Sequence, residues 1–400
     1  MQQLVHYWQL PNDIYISLKE DYHNIFCGLV REKTRHNFKN CFYKVLNCPK
    51  WHAQRLFNKE IRFTIKELEI LREFAQISKD EIEKNIGTLG NHEDGTIIKN
   101  PELPFNLKDI VYVASHLMFD GSFRYKEGCY FYVYDKDLLE YHKERIKIFG
   151  NVPTNFIEKE NQLYFSYTLG YIASKILEID NFRSLQTYLS DKLKILLKGN
   201  KIFLDEFIKA MIIDEGAIED KIKIELGDNK RFVDDIYEVI LYYYKLNKVI
   251  TRVRNIYFKK YNTWNYNKRS WRIDFNFESL KLLYESLKPL PIKYKQKNFE
   301  LLYKRQKRGW YKRKPNETKK LIISSLLEKP KSILELASEM CIKNGTVISH
   351  IKGHQTYSDS LIKLRIVSKV EERILEKGGY TKADIFGVTN KEKAQEYLKN

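Results

Sequence analysis

Apolar residues recur at helical spacing through most of the first hundred positions. Ile65, Leu68, Leu71, Phe74 and Ile77 form the clearest stripe, three or four residues apart as one face of a helix requires, and Ser78 is a suitable N-cap for the helix that follows. Residues 1–105 therefore read as a helical, helix-turn-helix-like domain. Two prolines in NPELPFN (100–106) interrupt the pattern and mark a boundary.

From 107 to about 287 helical spacing alternates with period-two stretches, and one order of elements runs twice. The first pass predicts a helix over 107–119, strands over 122–126 and 129–134, a helix over 136–149, two further strands and the helix SYTLGYIASKILE. The second predicts a helix over 204–213, a strand over 217–226, a helix over 231–246, strands over 249–260 and 269–277, and a helix over 278–287. An αββαββα unit duplicated in one chain, with halves 106–200 and 201–288, predicts an α+β fold with pseudo-twofold symmetry. Residues 289–318 read as a basic linker. The remainder, 319–400, has a winged-helix pattern: helices in KKLIISSLLE, ILELASEMC and TVISHIKGH, then two strands around the turn Lys377-Gly378-Gly379.

Composition narrows the partner. Four hundred residues with 43% hydrophobic content supply more than one core, and a net charge of +18 points to a polyanion, nucleic acid before membrane. No apolar run approaches the roughly 20 residues that span a bilayer. Five cysteines without a close Cys-x-x-Cys pair indicate neither a disulfide framework nor a structural zinc site, and fit a reducing cytoplasm. Met1 at one end and Lys399-Asn400 at the other differ from the ends of an intein, so a free-standing protein is expected.

Two segments carry the candidate chemistry. LMFDGSF (117–123) and MIIDEGAI (211–218) each run from apolar residues into acid, then glycine, then strand, with Gly121 and Gly216 separated by 95 residues. A carboxylate at the carboxyl end of a helix sits at the negative pole of the macrodipole, so a matched pair, Asp120 and Glu215, suggests a purpose. The glycines suit helix C-caps. Small residues at Ala114, Ser115 and Ala210 permit the two helices to pack closely and bring the acids together. Adjacent carboxylates repel, and a divalent cation with oxygen ligands, Mg²⁺ or Mn²⁺, relieves that repulsion and can promote phosphodiester hydrolysis.

VASHLMFDG (113–121) and IKAMIIDEG (208–216), with the elements that follow them, resemble the two LAGLIDADG motifs of single-chain homing endonucleases. The resemblance covers roughly 106–288. It implies a saddle of two four-stranded sheets in the DNA major groove, Asp120 and Glu215 as metal-binding catalytic acids, Mg²⁺ or Mn²⁺ as cofactor, and a monomer acting on double-stranded DNA. The pattern is departed from at His116, Met118, Phe119, Lys209, Ile213 and Asp214. The bulky Phe119 is expected to loosen the helix pair, and His116 to be a packing residue. A binding protein on the same fold that does not cut, either a transcription regulator or an RNA-binding intron-splicing factor, is the alternative.

Strand alternation assigns faces. Phe123, Tyr125, Phe131 and Val133 point inward in the first half, leaving Arg124, Lys126, Tyr130, Tyr132 and Tyr134 outward. In the second, Ile222, Ile224, Trp271, Ile273 and Phe275 point inward, leaving Lys221, Lys223 and Arg272 outward, with Arg252 and Arg254 sharing a face of their own strand. These basic and tyrosine residues are the expected base and phosphate contacts. Lys304, Arg305, Lys307, Arg308, Lys312, Arg313 and Lys314 are expected to track the nucleic-acid backbone.

Overall fold

A computed structural model describes residues 3–34, 41–90, 96–124, 128–180, 182, 187–219, 221–258, 263–307, 316–340, 342, 344–353, 360–375 and 381–399. The chain is mixed α+β with small, mostly antiparallel sheets, divided into two compact units. One is Met1–Ala217 with Ile222–Gln296; the other is Ile218–Lys221 with Lys297–Asn400.

The amino-terminal part of the first unit corrects the expectation of an all-helical domain. Helices α1 (Glu20–Thr34), α2 (Cys41–Leu46), α3 (Lys50–Phe57), α4 (Ile65–Ala75) and α5 (Lys79–Lys84) accompany strands β1 (Leu4–Val5), β2 (Tyr15–Leu18), β3 (Phe63–Thr64), β4 (Ile86–Gly90), β5 (Ile98–Lys99) and β6 (Phe105–Asn106). Four of the strands form a sheet of order β3-β2-β4-β5. Strands of two to five residues are too short for alternation to register against the helical pattern around them. The stripe of α4 is buried at Ile65, Leu68 and Leu71, and its start is fixed by a capping box: Thr64 Oγ1 accepts from Glu67 N at 3.2 Å, while Thr64 N donates to Glu67 Oε2 at 2.8 Å. Ser78 caps α5 as expected. No unit boundary falls at the prolines, and β1 pairs with β6, Leu4 opposite Asn106.

Next come α6 (Leu107–Phe119), β7 (Gly121–Arg124), β8 (Gly128–Tyr132), α7 (Lys136–Lys147), β9 (Thr154–Ile157), β10 (Gln162–Phe165), α8 (Tyr167–Leu177) and α9 (Asp191–Gly199). After them α10 (Lys201–Asp214), β11 (Gly216–Ile218), β12 (Ile222–Glu225), α11 (Lys230–Leu241), β13 (Leu246–Phe258), β14 (Thr263–Phe275) and α12 (Phe277–Leu287) follow in the same order. The two sheets have equivalent strand orders, β7-β8-β10-β9 and β11-β12-β14-β13. Where alternation predicts one strand over 217–226, the structure has two, β11 and β12; charged Glu219 and Lys221 lie between them, and no Gly or Pro in the sequence marks the break.

Helices α6 and α10 form the most extensive helix pair among the described residues, with Ala114, Ser115 and Ala210 buried. Phe119 does not loosen it: the ring turns aside onto Phe207 and Phe232, with centroids 5.3 and 5.8 Å away.

The expected linker contains helix α13 (Lys293–Lys307). The second unit holds α14 (Glu317–Glu328), β15 (Lys331–Ser332), α15 (Ile333–Met340), α16 (Asn344–Lys352), β16 (Val367–Leu375), β17 (Thr381–Val388) and α17 (Lys391–Lys399) around a core that includes Ile322, Leu336, Val347 and Phe386. Its sheet order is β15-β17-β16. The expected turn at Lys377-Gly378-Gly379 lies outside the described residues.

Candidate active site

Asp120 and Glu215 each follow the last helical residue, one at the end of α6 and the other at the end of α10, with backbone φ of −114° and −102°. The glycines behind them serve a different purpose from the one expected. Neither adopts a left-handed conformation. Instead each lies against the last turn of its own helix. A Cβ on Gly121 would come within 2.7 Å of Leu117 Cα and 2.8 Å of the His116 carbonyl oxygen, and one on Gly216 would come within 2.8 Å of Ile212 Cα and 2.5 Å of its oxygen. Leu117 and Ile212 are themselves 95 positions apart. The repeat thus reproduces a tight fold-back of chain onto helix, and only a residue without a side chain allows it. Tyr132 N donates to the Asp120 carbonyl at 2.7 Å, tying the acid to β8.

The two carboxyl groups share a field. Burial raises Asp120 to about 7, assisted by Asp214 and opposed by Lys295 and His116. Burial raises Glu215 to about 8, assisted first by Asp120 and then by Asp214, again opposed by Lys295. At neutral pH both groups therefore hold protons a large part of the time, and anything that brings positive charge drives those protons off.

Besides His116, three residues that sequence reasoning did not assign to the site complete it. Asp214, a departure from the motif, meets His116, another departure, across the helix pair: His116 Nδ1 lies 2.8 and 3.1 Å from the two carboxylate oxygens, and both side chains are 2% exposed. His116 is a buried packing residue as expected, and Asp214 is the partner that satisfies its Nδ1. Lys295, in the first turn of α13, is 7% exposed and donates to the carbonyls of Ile212 and Ile213 at 3.0 and 2.5 Å. It supplies the cation that an acid at the end of α10 requires. Burial lowers its pKa, while Asp214, Asp120 and Glu215 pull it back up. Tyr134, the third, adjoins the pair: partial burial raises its hydroxyl pKa, followed by the charges of Asp120, Tyr132 and Glu215. One lysine among ten Lys and Arg between 293 and 314 carries no sequence signal that would single it out.

Replacing Lys295 by Met is expected to destabilise the protein, and the loss should grow from pH 6 to 9. As the carboxyls ionise, the variant has no ammonium to balance them. Thermal melts in metal-free buffer check this, and a pH-independent difference would assign Lys295 to carbonyl capping alone.

The donor set fits a hard divalent cation. Two carboxyls whose pKa values are raised by burial and by neighbouring acids are ligands that Mg²⁺ or Mn²⁺ would ionise, using only oxygen donors. Among the described residues no group of three or more His, Cys, Asp or Glu converges in a metal-binding arrangement.

The expected nucleic-acid contacts divide. Tyr130, Tyr132 and Tyr134 lie on the outer face of the first sheet as expected, with Phe131 and Val133 buried on the inner one. In the second sheet Ile222, Ile224, Ile273 and Phe275 are buried, while Trp271 is only partly so. Lys221 and Lys223 are partly exposed, and Arg272 is held by Asp274 at 2.8 Å, so the face is mixed in charge where a basic one was expected. Arg124 lies in β7, Arg252 and Arg254 in β13, and Arg305 and Lys307 in α13, with their side chains outside the described set. Lys304 is exposed on α13. Lys126, Arg308, Lys312, Arg313 and Lys314 lie outside the described residues, as does Tyr125.

No protein-family model matches the chain, and no curated protein matches it. Among the described residues no helix is long and apolar enough to cross a membrane.

Proposed function

We propose that the protein is a site-specific, divalent-metal-dependent DNA endonuclease of the LAGLIDADG type, acting as a monomer through a duplicated αββαββα saddle, with residues 319–400 as a winged-helix module that extends the contact with DNA. The observation that carries this reading is the coupled pair Asp120 and Glu215, set at equivalent ends of adjacent helices by the same glycine fold-back. Bound there, Mg²⁺ or Mn²⁺ would supply Lewis-acid polarisation of a phosphate and an activated water. The chain's own groups do the rest. Asp120 and Glu215 would hold the ion through carboxylate oxygens fixed at the helix ends, having given up their protons. The His116–Asp214 pair locks the helices in register. Lys295 limits the negative charge that a phosphate meets on approach.

Incubation with a randomised duplex library and Mg²⁺, followed by sequencing of cut ends, tests the proposal. Double-strand breaks at one recurrent sequence are expected, none with EDTA. Lys295 favours a second reading, a nucleic-acid-binding protein that does not cut, since its ammonium already balances part of the carboxylate charge. Sequence-specific duplex capture from the same library without any cut ends would decide for that reading.

A further inference from the structure

The two sheets present unlike outer faces. On the second, Lys223, Glu225, Arg272 and Asp274 share a face by register, Lys223 opposite Asp274 and Glu225 opposite Arg272. The first has no acidic residue in any of its four strands, GSFR, GCYFY, TNFI and QLYF. What it carries is tyrosine. Tyr130 lies opposite Tyr164, and Tyr132 opposite Gln162, so the three rings share the outer face.

These rings form a continuous ladder. Tyr164 and Tyr130 have centroids 5.1 Å apart, Tyr130 and Tyr132 meet edge to face at 5.3 Å, and Tyr132 stacks on Tyr134 at 6.2 Å with planes 5° apart. Tyr130, Tyr132 and Tyr164 are partly exposed and Tyr134 is 71% exposed. Tyr164 donates its hydroxyl to Gln162 Oε1 at 2.7 Å, which fixes that ring. The ladder also has a direction. Tyr134, at one end, lies within the field of Asp120 and Glu215, and the rungs run from there across β8 onto β10; Glu160 adjoins Tyr164 at the far end.

A paired base is already stacked on its neighbours and offers the major groove only its edge, so a row of neutral rings gains little from it. An unpaired base offers a face, and aromatic rings on a sheet bind such faces with little regard to sequence. The polyanionic strand would meet a chain of net charge +18. We propose that the outer face of β7-β8-β10-β9 is a stacking platform for unpaired nucleobases, so that the protein also binds a single-stranded segment, laid along Tyr164, Tyr130 and Tyr132 toward Tyr134 and the two acids. This goes beyond duplex cleavage and does not depend on it.

The test is fluorescence anisotropy of the full chain with pyrimidine-rich single strands of roughly 15 nucleotides, RNA and DNA of one sequence, and with the matching DNA duplex. Loss of one stacked base costs roughly tenfold in affinity. The double variant Tyr130→Ala/Tyr132→Ala should therefore bind single strands about 100-fold more weakly and duplex, which meets these rings only at base edges, less than tenfold more weakly, whereas Tyr130→Phe/Tyr132→Phe stays within threefold on single strands. Tighter binding of RNA would make RNA the natural strand, and tighter binding of DNA would make it DNA. Single-strand affinity unchanged in the alanine variant, or lost equally for duplex, overturns the proposal. Should the alanine variant not fold, photocrosslinking of 5-iodouracil strands to the wild type decides: adducts within 128–134 or 162–165 are expected, and adducts only elsewhere overturn it. Asp120→Asn should bind single strands like the wild type, so failure to cut and failure to stack are read separately.

Discussion

Asp120→Asn and Glu215→Gln, made separately, are each expected to lower metal-supported cleavage of the preferred duplex by roughly 10³-fold or more, with duplex affinity unchanged or somewhat higher. Each removes an anionic ligand and leaves the shape of the helix end intact. The same variants should lose a pH effect. The native carboxyls titrate near 7 and 8, well above ordinary carboxylates, so between about pH 4 and 8 the folded state binds more protons than the unfolded one. Stability in metal-free buffer therefore falls as pH rises through that window. In either variant the fall is smaller, and added Mg²⁺ reverses it in the wild type only. Cleavage by the wild type should rise through pH 7 to 8 as the ligands ionise. Wild-type cleavage rates in Asp120→Asn would remove the acid from the mechanism.

The second large effect concerns the buried pair. His116→Leu strands the Asp214 carboxylate at 2% exposure with its partner gone, and breaking such a pair from one side costs about 3–5 kcal/mol. Urea denaturation should show a lower midpoint at unchanged slope. The double variant His116→Leu/Asp214→Leu, which removes the acid together with its partner, should recover much of the loss, as coupling between contacting residues requires. A cost below about 1 kcal/mol for His116→Leu, or additive effects, would mean that the pair does not hold α6 and α10 in register.

Different parts of the molecule were legible in the sequence for different physical reasons. The first repeat helix could be placed at 107–119, where the structure has it, because a long apolar run ends at a polar residue and glycine. The equivalent placement of Asp120 and Glu215 at two helix ends is legible from the 95-residue offset together with the motif resemblance. Strands of two to five residues in the amino-terminal part escaped, since period two needs several residues to stand out from period 3.6. Gly121 and Gly216 stand out in the sequence, but sequence does not say whether conformation or close approach demands a glycine, and here it is approach where a helix C-cap is expected. His116 and Asp214 each look like a defect in its own helix, 98 residues apart, and become a pair only once the helices are side by side. Lys295 was hidden among like charges, distinguished only by burial. Arg272 read as an open contact because alternation gives a face and not the acid two residues on that occupies the same face.

The central claim is that Asp120 and Glu215 together hold a divalent cation. Titration calorimetry with Mn²⁺ at pH 7, repeated in buffers of different ionisation enthalpy, measures both binding and the protons released. Saturable binding accompanied by proton release is expected, stronger at pH 8 than at pH 6, and weakened at least tenfold in Asp120→Asn and in Glu215→Gln. Binding without proton release, or binding as tight in both variants as in the wild type, would contradict it.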